Sequence, residues 1–340
     1  MHKPKIFFNK NLAIFYFLNA IPIYSYINRL IRAYDIEIIV TTNFLFAPFA
    51  IHAARKNSIP IVFDVVDFQP YHINYITRLP TFLKKIGHSF LSSLLDFDIN
   101  HSDYLITTGA PLFQYIKQKG LRNLKLISNG VDYTLFNPNH DNARIQKKYN
   151  IQSPIICFLG AMEYWINYEL LFRSISIVAR KYPTIRCLFI GPSRHYGISR
   201  IKQLAAKYDV LKSIVFTGRV PYKQLPDYIC ASDLCVLPFV KNYLTHCVIP
   251  MKLFEYLACE RPIVSITLAG VKSIAQNIIF YAETPEELAE KIDYILSNKN
   301  KMKERMVSGR SLAERFSWAQ LAREYEQVLK NVHSEFAFRI

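Results

Sequence analysis

Short β-branched and aliphatic runs alternate with longer stretches of helical periodicity along most of this chain, and no other feature restricts its fold so much. Residues 36–41, 60–66, 104–108 and 124–127 read as strands, separated by helical stretches at 47–56, 79–97 and 111–119. Strands that are apolar on both faces need cover on both faces, and intervening helices supply it, so the pattern predicts parallel sheets. Residues 137–149 are polar, contain Pro138, Asn139 and Asn142, and form the best linker candidate. The alternation then restarts. Strands are predicted at 154–159, 185–191, 214–217, 233–238 and 262–266, with helices at 167–181, 198–208, 222–231 and 250–259 and a polar loop running to Thr245. Thr284-Pro285-Glu286-Glu287 opens the helical end with a capping Thr, a first-turn Pro and two acids. The expected class is α/β: two Rossmann-like doubly wound domains, 1–140 and 150–316, with a cleft between them. In such sheets ligands bind beyond the carboxyl ends of the strands.

The 340 residues are enough for two domains with their own cores. The net charge of +16 is spread evenly, with 17 Lys/Arg against 9 Asp/Glu in residues 1–150 and no run of more than two adjacent cations. A nucleic-acid binder concentrates its charge on a face or arm, so no nucleic-acid partner is expected. Polyanionic substrates, an anionic membrane surface and plain solubility all remain open. The six cysteines all lie beyond residue 150 without a Cys-x-x-Cys pair, several inside apolar runs, which reads as buried reduced thiols in a cytoplasmic protein. The apolar stretch 12–23 is short of the roughly 20 residues that span a bilayer. A chain that does not cross a membrane but can lie against one is expected. Residues 75–95 carry Arg78, Lys84, Lys85 and His88 among Ile, Leu and Phe, and read either as an interfacial helix or as a sheet-covering helix with a solvated basic face.

The segment 238–265 carries the most chemistry. A strand ends at Pro238, a polar loop follows, and a helix starts at Pro250, a favoured first-turn residue. Free N–H groups and the positive dipole end near 248–252 suit a diphosphate. Lys252 lies in that first turn, where a cation is unfavourable to the helix and an anionic ligand would offset the cost. Glu255, one turn on, can accept hydrogen bonds from a ribose diol. A surface Lys–Glu pair at i,i+3 explains the same two residues without a ligand.

Pro250-Met-Lys252-Leu-Phe-Glu255-Tyr-Leu-Ala-Cys-Glu-Arg-Pro262-Ile-Val264 resembles the donor-site phrase of retaining glycosyltransferases of the GT-B fold, family 4 or group 1 type. Other phrases follow in the family's order: Ser128-Asn129-Gly130-Val131-Asp132 with Phe136 and Pro138, Phe158-Leu159-Gly160, Phe216-Thr217-Gly218-Arg219-Val220, and Phe316-Ser317-Trp318. Together they cover residues 36–333. The resemblance implies a GT-B architecture in which helix 317–333 returns to the first domain, and a hexosyltransferase-type enzyme acting on a nucleoside-diphosphate sugar. It implies that Glu255 binds ribose, that Lys252 and the backbone at 248–251 meet the diphosphate, and that Gly160 allows close approach of sugar or phosphate. Gly218, Arg219 and Val220 would border the base. No metal and no cofactor are expected.

Three departures qualify the resemblance. Cys247 stands where many members place a sugar-contacting Glu, which shifts that task to Asn242, Thr245 or His246. The basic residues that often follow the opening glycine turn are missing after Gly160. The chain has no Gly before Gly87, so the first domain is expected to lack its first strand–loop–helix unit. In that domain Asp67 or His72, just past a predicted strand, are the candidates to orient an acceptor hydroxyl; a solvated strand-end loop or a helix cap is the alternative reading. The expected function is sugar transfer, with retention, to a cell-envelope glycan or lipid-linked acceptor, in the cytoplasm or at the inner membrane face. Sugar-nucleotide epimerisation and a degenerate partner subunit are the alternatives.

Overall fold

The computed structural model describes residues 12–75, 79–193 and 196–338. They divide into two compact units, one of residues 1–128 with 322–340 and one of 129–321.

The first unit is built on a parallel sheet in sequence order, β1 (Ile39–Thr41), β2 (Ile61–Val65), β3 (Tyr104–Thr107) and β4 (Leu124–Leu126). Its helices are α1 (Leu12–Ala33), α2 (Ala47–Lys56), α3 (Thr81–His101) and α4 (Ala110–Gln118). Side chains alternate across a strand. Ile61, Phe63 and Val65 of β2 therefore share one core with Ala50 and Ile51 of α2, Leu95 and Ile99 of α3, and Leu112 and Ile116 of α4. Asp64 points to the opposite face, where its Oδ2 accepts a hydrogen bond from the Tyr325 hydroxyl at 3.3 Å. Residues 12–23 are the first part of α1, and among the described residues no helix is long and apolar enough to cross a membrane. Of the basic residues in the 75–95 stretch, Arg78 lies outside the described residues.

The second unit carries α5 (Ala143–Tyr149), so the predicted linker is partly helical. Its polar residues are helix-compatible, and Ile145 anchors them by burying its side chain at 3% exposure. Then come β5 (Ile155–Leu159), α6 (Tyr168–Ala179), β6 (Arg186–Ile190), α7 (Ile198–Lys207), β7 (Ile214–Gly218), α8 (Leu225–Cys230) and β8 (Leu234–Leu237). The rest is α9 (Tyr243–Cys247), α10 (Met251–Ala258), β9 (Ile263–Ser265), α11 (Ala269–Ala275), β10 (Phe280–Tyr281), α12 (Pro285–Ser297), α13 (Lys299–Glu314) and α14 (Trp318–Ala337). The partition between units falls inside α14. The predicted loop to Thr245 is in fact closed by α9, because Asn242 and Thr245 cap each other's backbone. Thr284 caps α12 by accepting from the Glu287 N–H at 3.1 Å.

All six strands of this sheet are parallel, in the order β10-β9-β8-β5-β6-β7. The chain winds outward from β5 through β6 to β7, then returns to lay β8 on the other side of β5. That reversal puts the switch point between β5 and β8, where a doubly wound sheet opens a crevice at its carboxyl end. All six cysteines are free and buried.

Candidate functional site

Two segments leave the switch point of the second sheet, one after β5 and one after β8. Gly160, with φ +132°, directly follows β5, and Gly191, with φ +140°, directly follows β6. A Cβ on Gly191 would strike the Gly160 carbonyl oxygen, and a Cβ on Gly160 would strike the Lys252 Nζ. Gly218, φ +69°, accepts from the Gly191 N–H at 2.9 Å. Three adjacent strand ends are thus finished by glycines in backbone conformations that other residues rarely adopt. Gly160 is needed first for the lysine that leans over it.

Lys252 reaches this floor from the first turn of α10. Its Nζ lies 4.9 Å from the centre of the Phe158 ring and 5.3 Å from that of Phe239, a two-sided cation–π setting. It makes no hydrogen bond or ion pair among the described residues. Removal from water outweighs the nearby Glu255 charge and pulls its pKa down to about 8. Glu255, 7% exposed, is likewise without a hydrogen-bonding partner among the described residues, and burial lifts its carboxyl to about 7 against the pull of Lys252. A surface i,i+3 pair would have ordinary titration and a close contact. These residues have neither, so they stand as two incompletely paired ionisable groups one turn apart on α10.

The surroundings fix α10 in place. The Tyr256 hydroxyl oxygen, fully buried, accepts from the Leu159 N–H at 2.7 Å and ties the helix to the end of β5. Phe254 packs on Phe316, ring centres 4.7 Å apart. The Asn129 amide donates to the Ile249 carbonyl at 2.7 Å, holding the loop before the helix. Val131 and Ser317 form a parallel bridge, and a Cβ on Gly130 would strike the Phe316 carbonyl. Pro250 is the N-cap, one position earlier than expected, with no side-chain cap. The first-turn N–H groups are therefore left without a capping side chain, as an anion site requires.

The other expected residues fall less uniformly. The Asn242 Oδ1 accepts from the Thr245 N–H at 3.1 Å, while the Thr245 hydroxyl, buried, donates to the Val240 carbonyl. Both residues hold α9 together. His246 is half-buried in the same helix, and Cys247 is 9% exposed. Arg219 is exposed beyond β7, and Val220 packs against the core. In the first unit, Asp67 is half-buried after β2, its pKa raised by burial and opposed by the His72 charge. The sequence reading missed Gly191, Phe158 and Phe239. The glycine could have been found, since Gly191 ends a predicted strand as Gly160 does.

Residues 153–298 match the family "Glycosyl transferases group 1". Over 188 residues the chain is 25% identical to a Bacillus subtilis protein that carries the name of a teichuronic acid biosynthesis glycosyltransferase, TuaH, covering 54% of this chain and 45% of that protein. The chain thus spans about half the length of that curated relative. Among solved structures, sucrose-phosphate synthase from Thermosynechococcus elongatus superposes with a TM-score of 0.78 at 16% identity, covering 98% of this chain and 83% of that one. Anabaena HepE in complex with UDP gives a TM-score of 0.75 at 14% identity, with 91% and 82% covered. The strand order of the second sheet, the helix that carries Lys252 and Glu255, and these likenesses agree: residues 153–298 match the group 1 glycosyltransferase family, and the chain has the GT-B fold of its structural neighbours.

Proposed function

We propose that this chain transfers a sugar from a nucleoside-diphosphate sugar to a cell-envelope glycan or lipid-linked acceptor, with retention, at the cytoplasmic face of a membrane. The observation that carries the reading is the incompletely paired Lys252 and Glu255 of α10, with Lys252 leaning over Gly160 at the switch point. In the transfer, the bond from the sugar C1 to the diphosphate oxygen breaks and a bond from C1 to the acceptor oxygen forms, with loss of the acceptor hydroxyl proton. Charge develops on the departing diphosphate, and stabilising it is the main electrostatic task. Lys252 and the first-turn N–H groups of α10 are assigned to that charge, and Glu255 to the ribose hydroxyls. Gly218, Arg219 and Val220 are assigned to the base, His246 to the sugar, and Asp67 or His72 to the acceptor hydroxyl. The names of the relatives support the substrate classes: UDP in the HepE complex, and teichuronic acid biosynthesis in the TuaH name. We assign the leaving-group charge to protein groups rather than to a metal, so activity is expected to survive EDTA.

A thermal-shift panel of nucleoside diphosphates tests the reading first, because a ligand that binds only the folded state raises Tm by mass action. One member of the panel should stabilise the wild type and leave Glu255→Ala unmoved. Radiolabelled nucleotide sugar should then label a membrane acceptor. Absence of any shift, or equal shifts in wild type and variant, sinks the site. Conversion of the donor without an acceptor would replace transfer by epimerisation.

A further inference from the structure

In the second unit, the end of α11, the outer side of α13 and the turn into α14 surround an open cavity of about 730 Å³. Arg305 of α13 and Arg315 just after it both line this cavity. Neither guanidinium has a hydrogen bond or an ion pair among the described residues. Arg305 is held in place by the Phe280 ring, whose centre lies 4.2 Å from the guanidinium carbon, a contact that leaves its N–H donors unused. Arg315 is exposed. One carboxylate, that of Glu304, lines the cavity against these two cations, so the local balance is positive. A guanidinium fork matches a carboxylate or a phosphate in two parallel hydrogen bonds.

The rest of the lining identifies what the anion is attached to. Gln276 and Asn277 lie on the cavity, and neither side-chain amide has a hydrogen-bonding partner among the described residues. Gln276 is put there by an unusual backbone, φ +41° and ψ −119° at the C-cap of α11, a region that residues other than glycine rarely adopt. Strain of this kind gathers at ligand sites. The Ser308 hydroxyl donates to the Glu304 carbonyl at 3.0 Å and keeps its lone pairs free to accept. Leu312 and Phe316 add apolar surface. A bare phosphate would meet the arginines and leave the amides and the apolar wall idle. A sugar that carries an acidic group uses all three, with its charge on the arginines, its hydroxyls on the amides and its C–H face on Leu312 and Phe316. The volume falls in the range of about 300–1,000 Å³ that small-ligand sites occupy.

We propose that this cavity binds an acidic glycan, with a carboxylate or phosphate of the glycan on Arg305 and Arg315 and neighbouring hydroxyls on Gln276 and Asn277. The site is separate from Lys252 and Glu255, although it adjoins their helix: Phe316 stacks on Phe254 of α10 with ring centres 4.7 Å apart. A second hold on a charged acceptor keeps it on the chain between transfers, and that purpose rests on the proposed function. The binding itself does not, and its test involves neither donor nor transfer, so the two readings fail separately.

The full chain is titrated calorimetrically with trigalacturonate, its methyl ester, inorganic phosphate and hexaglutamate. Trigalacturonate should bind. The ester keeps the hydroxyls and loses the charge, so it should bind about tenfold more weakly or worse, and phosphate and hexaglutamate should do the same. Hydrogen bonds to charged groups are worth about tenfold or more each in affinity, so Arg315→Ala and Arg305→Ala should each weaken trigalacturonate by about that factor. Arg305→Lys keeps the charge and the ring contact and loses the fork, so it should give a smaller loss. Removing the exposed Arg315 disturbs no packing, and far-UV circular dichroism checks that each variant folds. Excess UDP and Glu255→Ala should leave the affinity for trigalacturonate unchanged. No binding, equal binding of the ester, or an unchanged affinity in both folded alanine variants overturns the proposal. Phosphate binding as tightly would make the cavity a site for a free anion, and hexaglutamate binding as tightly would give it to an acidic peptide; either overturns the proposal. So does displacement by UDP or loss of binding in Glu255→Ala, which would move the glycan to α10.

Discussion

The two sheets are made of similar parts and differ in how they are wound. The first runs β1 to β4 in sequence order, so none of its described neighbours marks a reversal. The second reverses between β5 and β8, and the incompletely paired Lys252 and Glu255 sit at that reversal. The first unit also buries ionisable groups, but differently. Asp98, with no side-chain exposure, has neither carboxylate oxygen hydrogen-bonded among the described residues, and burial lifts its pKa to about 8. Asp64 has one orphaned oxygen and one held by Tyr325. Incompletely paired ionisable groups thus stand at the carboxyl end of the sheet in one unit and are sealed among packed side chains in the other. Groups at a strand end can exchange unsatisfied charge for a ligand; a sealed carboxyl can only stay protonated.

The comparison breaks if Lys252 and Glu255 do not respond to ligand. Lys252→Ala or Glu255→Ala should lower sugar transfer about 10²–10³-fold, the range for losing one preorganised donor to developing charge, with little loss of stability. The pH dependence of nucleotide binding sharpens the point. On the proposed assignment, an ionised Glu255 accepts from the ribose hydroxyls more strongly than a protonated one, so affinity should fall as pH drops below about 7. Lys252 must be charged to meet a diphosphate, so affinity should fall as pH rises above about 8. The two limbs belong to the pair as a unit. Calorimetric titration across this range should give a bell, and a flat profile would remove both residues from the binding site.

The glycine floor comes next. Gly191→Ala meets backbone, which cannot move aside, and Gly160→Ala meets the end of a flexible lysine. Both also force a side chain into a rarely adopted backbone region, at about 1–3 kcal/mol. Urea unfolding should show the larger loss for Gly191→Ala, and nucleotide titration the larger loss for Gly160→Ala. The reverse ranking would mean that the floor does not support Lys252.

Most of this architecture was legible in the sequence, for a physical reason. Strands buried on both faces advertise themselves as continuous apolar runs, and the glycine and proline punctuation between them is local. Helix α9 was hidden because its stability comes from the Asn242–Thr245 cap rather than from periodicity. Helix α5 was hidden because one buried Ile145 suffices to anchor a polar sequence. In the site, Lys252 and Glu255 could be found because a cation in a helix's first turn is locally unfavourable. The Phe158 and Phe239 rings could not, since nothing in their neighbourhood separates a cation–π wall from ordinary core. The roles of Asn242 and Thr245 were harder to read for the opposite reason: polar loop residues look available until their mutual hydrogen bonds are seen.

The last effect concerns the sealed carboxyl, and it separates the two units most cleanly. Asp98 has a folded pKa raised above its unfolded value of 3.8. Its contribution to stability is then complete below the unfolded value and is lost as pH rises towards the folded pKa of about 8, because the unfolded chain releases a proton that the folded chain keeps. The slope has an upper bound of about 1.4 kcal/mol per pH unit. Urea midpoints should therefore fall between pH 5 and pH 8 in the wild type. Asp98→Asn keeps the shape and the neutral state, so it should flatten that slope and leave nucleotide binding unchanged. A slope that persists in Asp98→Asn would assign the pH dependence to other groups. A change in nucleotide affinity would show that the first unit's buried polarity is coupled to Lys252 and Glu255, and the division between sealed and strand-end charge would no longer hold.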